Sequence, residues 1–404
     1  MTLPIIKLIV VFLIIAILIW CRRPLYQAVS AGIMATGVLY GIALSQMGRL
    51  LIKVVSSWSA MSILVILYLI TFLQRMLEKR QQIKLAQQDL NGLFNNRRIN
   101  ASFAPLFIGL LPSAAAMILC GDIVKETTDG YLDRKEQGFV ASWFRHIPES
   151  TLPTYTGVLL MSNLSGVDIA PFMVGMIFPV CVMFALGYFL YLRKLPKDTG
   201  TPPSQNKWGD FIGLIQHLWS LVLIILLILG FHMSVVRSVA MVIIAALFVY
   251  RFQWVELKPM FRKAIEMRML GNTFLILVFK EFIDHTGVIN TLPDFFGQFP
   301  IPIFVVFSLL FFFGGIVSGT SGIIALGTTM AFSAIPGAGM PLMVLLMSMC
   351  HAASQISPTH VCLAVVTEYF GITMGDLVRK TLPVALVFMV IMIGYYQFLL
   401  RFFA

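Results

Sequence analysis

The sequence Ser318-Gly319-Thr320-Ser321-Gly322 interrupts an apolar stretch that covers residues 302–335. A second interruption, Ser354-Gln355-Ile356-Ser357-Pro358-Thr359, lies inside the next apolar stretch, residues 341–370. Backbone that leaves a helix at membrane depth is tolerated only where protein or a water-filled cavity satisfies its polar groups. These two breaks therefore predict a re-entrant hairpin followed by a broken span, which is a common construction of transporter binding sites.

The first half of the chain carries a matching pair of features. Segment 109–121 aligns with 315–327, an offset of 206 residues, and both segments are rich in small residues. At an offset of 205 residues, four positions of one half are identical to four of the other: His146, Pro153, Thr154 and Gly166 match His351, Pro358, Thr359 and Gly371. Two separate blocks at nearly the same offset indicate an internal duplication.

The composition is that of a membrane protein. Hydrophobic residues make up 59% of the chain and charged residues only 12%, about half the charged fraction of soluble domains. The five cysteines show no metal-binding spacing and no disulfide framework, so we interpret them as packing residues: Cys21, Cys120, Cys181, Cys350 and Cys362. No metalloprotease, nucleophile-elbow or Walker motif is present in the sequence, so we predict that the chain is not an enzyme.

The predicted fold is an all-α polytopic membrane protein of two inverted repeats, 1–193 and 211–404, joined by a cytoplasmic linker at 194–210. Each repeat has five transmembrane helices, one of them broken, and one re-entrant hairpin. In the first repeat these elements are spans 5–20, 25–46 and 58–77, hairpin 103–124, broken span 139–164 and span 169–192. In the second they are spans 211–231, 234–250 and 270–282, hairpin 302–335, broken span 341–370 and span 382–402. An odd number of crossings per repeat inverts the second copy.

The positive charges fix the orientation of this arrangement. When the polar arm at 78–98 is placed in the cytoplasm, 22 of the 29 lysines and arginines fall on the cytoplasmic side and five on the outer side. Cytoplasmic loops of membrane proteins carry such an excess. Both termini are then expected on the outer side, and the net charge of +11 is a topology signal that implies no nucleic-acid partner.

The hairpin tips are the predicted substrate site, because each tip precedes a half-helix with free backbone N–H groups that attract an anion. Packing of small residues is the alternative explanation of these sequences. Together with polar residues of the two breaks, the tips supply the candidate substrate-binding residues: Ser113, Ser318, Gly319, Thr320, Ser321, Gly322, Gln355, Thr359 and Thr154.

The breaks are predicted to bind the coupling ion, which is Na⁺ or H⁺. Prolines free carbonyl groups, and ionisable residues at membrane depth are functional candidates by default. The candidates for the ion or proton are Glu149, Ser150, Thr151, Ser354, Ser357, His146 and His351, and a Na⁺ ion would bind at Ser113, Thr151, Thr320 and Ser357. Prolines repaired by neighbouring hydroxyls, and histidines bonded to freed backbone, are the structural alternatives. No cofactor is expected beyond this ion.

Two hairpins with Ser/Gly/Thr tips, each followed by a broken span, resemble the ion transporter superfamily. That group includes gluconate permeases and divalent anion:sodium symporters, and the chain is most similar to a ten-span branch. The motifs that carry the resemblance are Ser318-Gly319-Thr320-Ser321-Gly322 and Ser357-Pro358-Thr359-His360. The Ser-Asn-Thr signature of the dicarboxylate symporters is absent from both tips. The resemblance implies a homodimer and elevator-like alternating access.

The sequence thus predicts a cation-coupled secondary transporter of a small organic anion in the inner membrane of a prokaryote. The expected class of substrate is a carboxylate. Arg145 and His146 give further support for an anion. One alternative is a monovalent cation/proton antiporter on the same scaffold, with Glu149, His146 and His351 as the ion-linked groups. The other alternative is the membrane subunit of a multi-component transport system.

Overall fold

The computed structural model describes residues 3–21, 23–110, 116–200, 204–298 and 300–403, and these residues form helices and turns with no strand among them. The predicted all-α class is confirmed. Six of the described helices are long and apolar enough to cross a membrane: Leu3–Trp20, Trp58–Lys79, Ile169–Leu190, Lys207–Leu229, Ile303–Ala334 and Met374–Phe402. The chain is a multi-pass membrane protein.

The described helices are numbered in chain order. The first half contains α1 (Leu3–Trp20), α2 (Leu25–Tyr40), α3 (Leu44–Ser56), α4 (Trp58–Lys79), α5 (Gln82–Phe94), α6 (Arg97–Ile108), α7 (Ala116–Thr128), α8 (Arg134–His146), α9 (Thr156–Ser165), α10 (Ile169–Gly175) and α11 (Ile177–Leu190). The second half contains α12 (Lys207–Leu229), α13 (Val235–Val249), α14 (Trp254–Lys263), α15 (Met267–Thr286), α16 (Leu292–Phe296), α17 (Ile303–Ala334), α18 (Gly339–Ser354), α19 (Val361–Phe370) and α20 (Met374–Phe403).

The predicted span 25–46 is wrong in its second part. Helix α2 ends at Tyr40, because Gly41 adopts a left-handed conformation with φ 70° and closes the helix. The chain then begins the separate helix α3, which packs against α15. Lys53 on α3 forms an ion pair with Glu281 on α15. Hydropathy alone did not show this turn, because the residues around Gly41 are apolar.

The chain reverses direction at Gly319, inside α17. Gly319 has φ 73° and ψ 165°, a backbone conformation that favours glycine. A Cβ placed on Gly327 would lie 2.6 Å from Cε2 of Phe311, and one placed on Gly314 would lie 2.5 Å from Cδ1 of Ile323. In a straight helix residues 311 and 327 would be roughly 24 Å apart. The two arms of α17 therefore lie side by side, as a hairpin with its tip at Gly319.

The first hairpin is built from two separate helices, α6 and α7, which pack against each other. Helix α6 begins at an Asn96 cap, whose side chain accepts from the N–H groups of Arg98 and Ile99. The predicted tip of this hairpin, Pro112-Ser113, lies outside the described residues.

Helices α8 and α18 form the centre of the molecule. Every residue of α8 from Gln137 to His146 is buried, and so is every residue of α18 from Pro341 to Ser354. A helix that is buried on all sides belongs to the core of a bundle. Helix α8 packs against α19 and α20 of the second half, while α18 packs against α9 and α10 of the first half. The broken spans of the two halves are therefore interleaved.

The polar arm at 78–98 is held against the second half by charged groups. Gln81, with φ 52°, separates α4 from α5. Arg80 donates two hydrogen bonds to the Glu256 carboxylate on α14, at 2.8 and 2.9 Å. These bonds from Arg80 lower the pKa of Glu256 to about 2. The paired guanidinium also lies over the Phe252 ring, 4.1 Å from its centroid.

Candidate functional site

The first break follows α8. After a short 3₁₀ turn at Pro148–Ser150 the chain stays irregular until α9 begins. Thr151 Oγ1 donates to the Ile147 carbonyl at 2.9 Å, and Ser150 Oγ donates to the same oxygen at 3.3 Å. Tyr155 donates its hydroxyl to the Gly109 carbonyl at the end of α6. Side chains thus satisfy the freed carbonyls and tie this break to the first hairpin.

The second break follows α18 and is tied to the second hairpin in the same way. Ser354 Oγ donates to the His351 carbonyl at 2.8 Å. Ser357 Oγ donates to the Ile316 carbonyl, in the first arm of α17, at 2.8 Å. The Thr359 N–H donates to Ser357 Oγ at 3.3 Å, and Thr359 Oγ1 lies 3.7 Å from the position of a Cβ on Gly319. The hairpin tip therefore faces this break.

A buried hydrogen-bond network joins the two broken spans. Gln355 Nε2 donates to His351 Nε2 at 3.4 Å, which leaves the His351 Nδ1–H to donate to Ser150 Oγ at 3.1 Å. Ser142 Oγ donates to Gln355 Oε1 at 3.2 Å. His146 Nδ1 lies 2.7 Å from the Ser142 carbonyl, which is only an acceptor, so this nitrogen carries a proton. The first half supplies Ser142, His146 and Ser150 to this network, and the second half supplies His351 and Gln355.

The network ends in a cluster of ionisable groups. Because the Nδ1 of neutral His146 is protonated, its Nε2 accepts, and His360 Nε2 donates to it at 2.8 Å. Glu149 Oε2 lies 3.8 Å from His146 Nε2 and 3.9 Å from His360 Nε2. Arg145 donates to the same carboxylate oxygen at 3.3 Å, with its side chain only 2% exposed. This cluster thus brings two imidazoles, one carboxylate and one guanidinium together in the described interior.

The hairpin tip reaches this region through Thr320. A cavity of only 10 Å³ separates the tip from the two broken spans, and its lining includes Thr320, Glu149, Ser150, His351 and Ser354. That volume is about the minimum for one water molecule. The groups converge, but the site is closed to any organic substrate in this conformation.

The predicted site residues lie in several different surroundings. Glu149, Ser150, Thr320, His351 and Ser354 meet at the small cavity, and Gln355, His146, Ser357 and Thr359 lie in the hydrogen-bond network or against the tip. Thr151 and Thr154 instead line an apolar cavity of 410 Å³ between α12 and the first half. Ser318 lines an apolar cavity beside α1, Ser321 is exposed, and Gly322 faces Ser318 in its own hairpin.

The described residues predicted to bind Na⁺ have different surroundings. Thr320 lines the small cavity, Thr151 faces the apolar cavity, and Ser357 is bonded to the Ile316 carbonyl. The hydroxyl oxygen of Thr151 is already a donor to Ile147 within its own turn. Ser113, the fourth predicted ligand, lies outside the described residues.

Sequence reasoning missed three residues of the network and its surroundings, namely Ser142, His360 and Cys362. Ser142 stands four residues before His146, so both lie on one face of α8. His360 directly follows the Ser357-Pro358-Thr359 motif, and Cys362 comes two residues later. A ligand atom from each of His146, His360 and Cys362 lies within 4.8 Å of the other two, so these residues are the ones that could hold a metal ion.

We expect Gln355→Leu to destabilise the folded chain by about 1–3 kcal/mol, because the change leaves His351 and Ser142 without their buried partner. Thermal unfolding in detergent measures the loss. Gln298→Leu is the matched control, since the Gln298 side chain is exposed and bonds only a carbonyl of its own turn. Equal midpoints for the two variants would contradict a structural role of the network.

Comparison with known proteins gives a family and a related fold. Residues 5–398 match the family model described as a protein of unknown function (DUF401). No curated protein sequence matches the chain. Among solved structures, the crystal structure of the Alcanivorax borkumensis YdaH transporter matches with a TM-score of 0.54 and 14% identity, over 89% of each chain. At this identity the similarity concerns the fold, and it agrees with the all-α membrane architecture.

Proposed function

The chain belongs to the DUF401 family, whose function is unknown, and we propose that it is a cation-coupled secondary transporter of a small organic anion. The neighbour with a similar fold is a transporter, which supports transport over an enzymatic role. The observation that carries the proposal is the reversal at Gly319, which sets Thr320 against both broken spans. Irregular backbone at membrane depth with converging polar groups is the usual form of a transporter site.

An organic anion is favoured by the start of the second hairpin arm. Thr320 lines the small cavity and opens a helical segment that runs to Ala334, and the first N–H groups of a helix are free to bind an anion. Arg145 gives weaker support than its sequence position suggests, because its guanidinium is already bonded to Glu149. The anion is therefore held mainly by N–H and hydroxyl donors in this proposal, and the class to test first is carboxylates.

Transport requires the closed cavity to open. We propose that α17 and the broken spans move together against the early spans of each half, as an elevator, within a homodimer. The interleaving of α8 with α19 and of α18 with α9 supports a unit that moves as one body. The paired contacts of α2 with α15 and of α13 with α4 support two inverted repeats joined at 194–210. Location in a prokaryotic inner membrane, with both termini outside, belongs to the same proposal.

The alternative of a cation/proton antiporter is favoured by one observation, the contact of His146, His360 and Glu149. This cluster can hold a proton or a cation without any organic substrate. In the antiporter, the same residues bind the exchanged ions in turn, and Thr320 only shapes the hairpin tip. The two functions thus differ in where binding takes place: an organic anion binds at Thr320, whereas the exchanged ions of an antiporter bind at His146, His360 and Glu149.

Uptake into proteoliposomes that contain only the purified chain tests the proposal. We expect accumulation of at least one carboxylate from a panel when an inward Na⁺ or pH gradient is imposed, and no accumulation without the gradient. An antiporter would instead dissipate a pH gradient on addition of Na⁺ with no carboxylate present. If neither activity appears until a partner protein is added, the chain is a subunit of a multi-component system and the proposal fails.

A further inference from the structure

We propose that His146, His360 and Cys362, with Glu149 as a fourth ligand, form a binding site for a divalent transition-metal ion of the Zn²⁺ class. This set of two imidazoles, one thiolate and one carboxylate is typical of zinc in proteins. The two halves of the chain contribute two ligands each. The site shares Glu149 with the lining of the small cavity, but it is defined by donor atoms of this chain and does not depend on which substrate is carried.

The two histidine donor atoms are nearly in place. The Nε2 atoms of His146 and His360 are 2.8 Å apart, and tetrahedral Zn²⁺ with N ligands at about 2.0–2.1 Å separates two such atoms by roughly 3.3 Å. Glu149 Oε2 lies 3.8 and 3.9 Å from these nitrogens, close to the same separation. Shifts of roughly 0.5 Å bring the two imidazoles to coordination distance. Cys362, whose ligand atom lies within 4.8 Å of both imidazoles, and Glu149, which lies outside this group of three, must move further to complete the coordination shell.

The surroundings orient the ligands as they are oriented in known metal sites. A ligating histidine usually donates its other ring nitrogen to a carbonyl or carboxylate, and His146 Nδ1 donates to the Ser142 carbonyl at 2.7 Å. A ligating carboxylate is usually hydrogen-bonded as well, and Arg145 donates to Glu149. The His146 Nε2 lone pair therefore already points towards the centre of the cluster.

The charges also suit a buried divalent ion. Cys362 lies in the first turn of α19, where the helix dipole favours the negative charge of a metal-bound thiolate. One thiolate and one carboxylate offset the two positive charges of the ion, and the buried Arg145 guanidinium beside Glu149 leaves the whole group with a net charge of about +1. On binding, the Cys362 thiol releases one proton to solvent, and the Nε2 proton of neutral His360 is replaced by a proton on Nδ1. The ion is bound as M²⁺ and no electron is transferred.

Titration of the purified, untagged chain with Zn²⁺ in detergent, followed by calorimetry, tests the site. We expect one ion per chain, and at least ~100-fold weaker binding for Cys362→Ser and for His360→Gln, more than the loss of an outer-shell partner costs. Cys120→Ser and His285→Gln are matched controls, because Cys120 is bonded to the Ala141 carbonyl and His285 is exposed. The controls should bind like the wild-type chain.

Co²⁺ gives a second measurement that does not depend on affinity. The wild-type chain should show a thiolate-to-Co²⁺ charge-transfer band, and Cys362→Ser should lack the band while eluting as the same folded species. Wild-type binding no tighter than that of Cys362→Ser and His360→Gln would overturn the proposal. So would a charge-transfer band that persists in Cys362→Ser, or binding that is lost in His285→Gln.

Discussion

Thr320→Val is expected to lower carboxylate uptake by purified chains about 10- to 100-fold at subsaturating substrate. Valine keeps the shape of threonine, so the methyl contact with α9 near Gly157 is retained, at 3.7 Å from a Cβ built there. Only the hydroxyl of Thr320, a residue that lines the small cavity, is removed. A hydrogen bond to a charged group is worth about 1.5–3 kcal/mol, which corresponds to this loss. Initial rates of gradient-driven uptake measure it.

Two further variants separate the hydroxyl from the fold. Thr320→Ser restores the donor and should recover most of the uptake. Thr328→Val lies in the same hairpin arm, and the buried Thr328 hydroxyl has no hydrogen-bond partner among the described residues, so its loss should leave uptake and stability unchanged. Full uptake by Thr320→Val, or equal losses in Thr320→Val and Thr328→Val, would exclude the Thr320 hydroxyl as a substrate ligand.

The sequence was sufficient for the features that depend on local chemistry. Hydropathy located the long spans, and the glycine in Ser318-Gly319-Thr320 marked the only kind of residue that readily adopts φ 73° at a hairpin tip. The breaks at Pro153 and Pro358 were visible for the same reason, because proline and clustered hydroxyls act on the backbone next to them. Such signals survive in a single sequence without knowledge of the tertiary fold.

Which residues join the cluster depends on how the helices pack, and this packing cannot be predicted from the local sequence. His146 was paired in the sequence with His351 by the internal offset, whereas its nitrogen bonds His360, 214 positions away. That contact exists because α8 packs against α19, a choice made by complementary surfaces of the two helices. The side-chain direction of Thr151 could not be predicted either, because an irregular segment has no repeating geometry that fixes where its side chains point.

The small cavity is closed in this conformation, and the hydrogen bonds around it limit how it can open. A cavity of 10 Å³ holds no substrate, yet the groups around it come from both broken spans and one hairpin tip. Each break is bonded to the hairpin of its own half, through Tyr155 and Ser357. Opening the cavity without breaking these bonds requires each hairpin to move with its break. The hydrogen bonds thus place each hairpin and its break in the same moving unit.

Glu149→Met is expected to lower stability by about 3 kcal/mol, the lower end of the cost of breaking a buried ion pair. Arg145 keeps its charge in a side chain that is 2% exposed, while Glu149 is 26% exposed and therefore partly solvated. Thermal unfolding of the purified variant measures the loss. The exposed pair of Lys53 and Glu281 provides the control, because Lys53 is 69% exposed and Glu281→Met should cost at most about 1 kcal/mol.

The double variant Arg145→Met/Glu149→Met distinguishes a structural pair from a functional one. It removes both charges together, so its stability should exceed that of Glu149→Met. If the pair is only structural, transport should recover along with stability. If Glu149 binds the coupling ion, the double variant should be stable but inactive, because the carboxylate next to His146 and His360 is still missing. A double variant that is no more stable than Glu149→Met would show that the Arg145 charge is not held by Glu149.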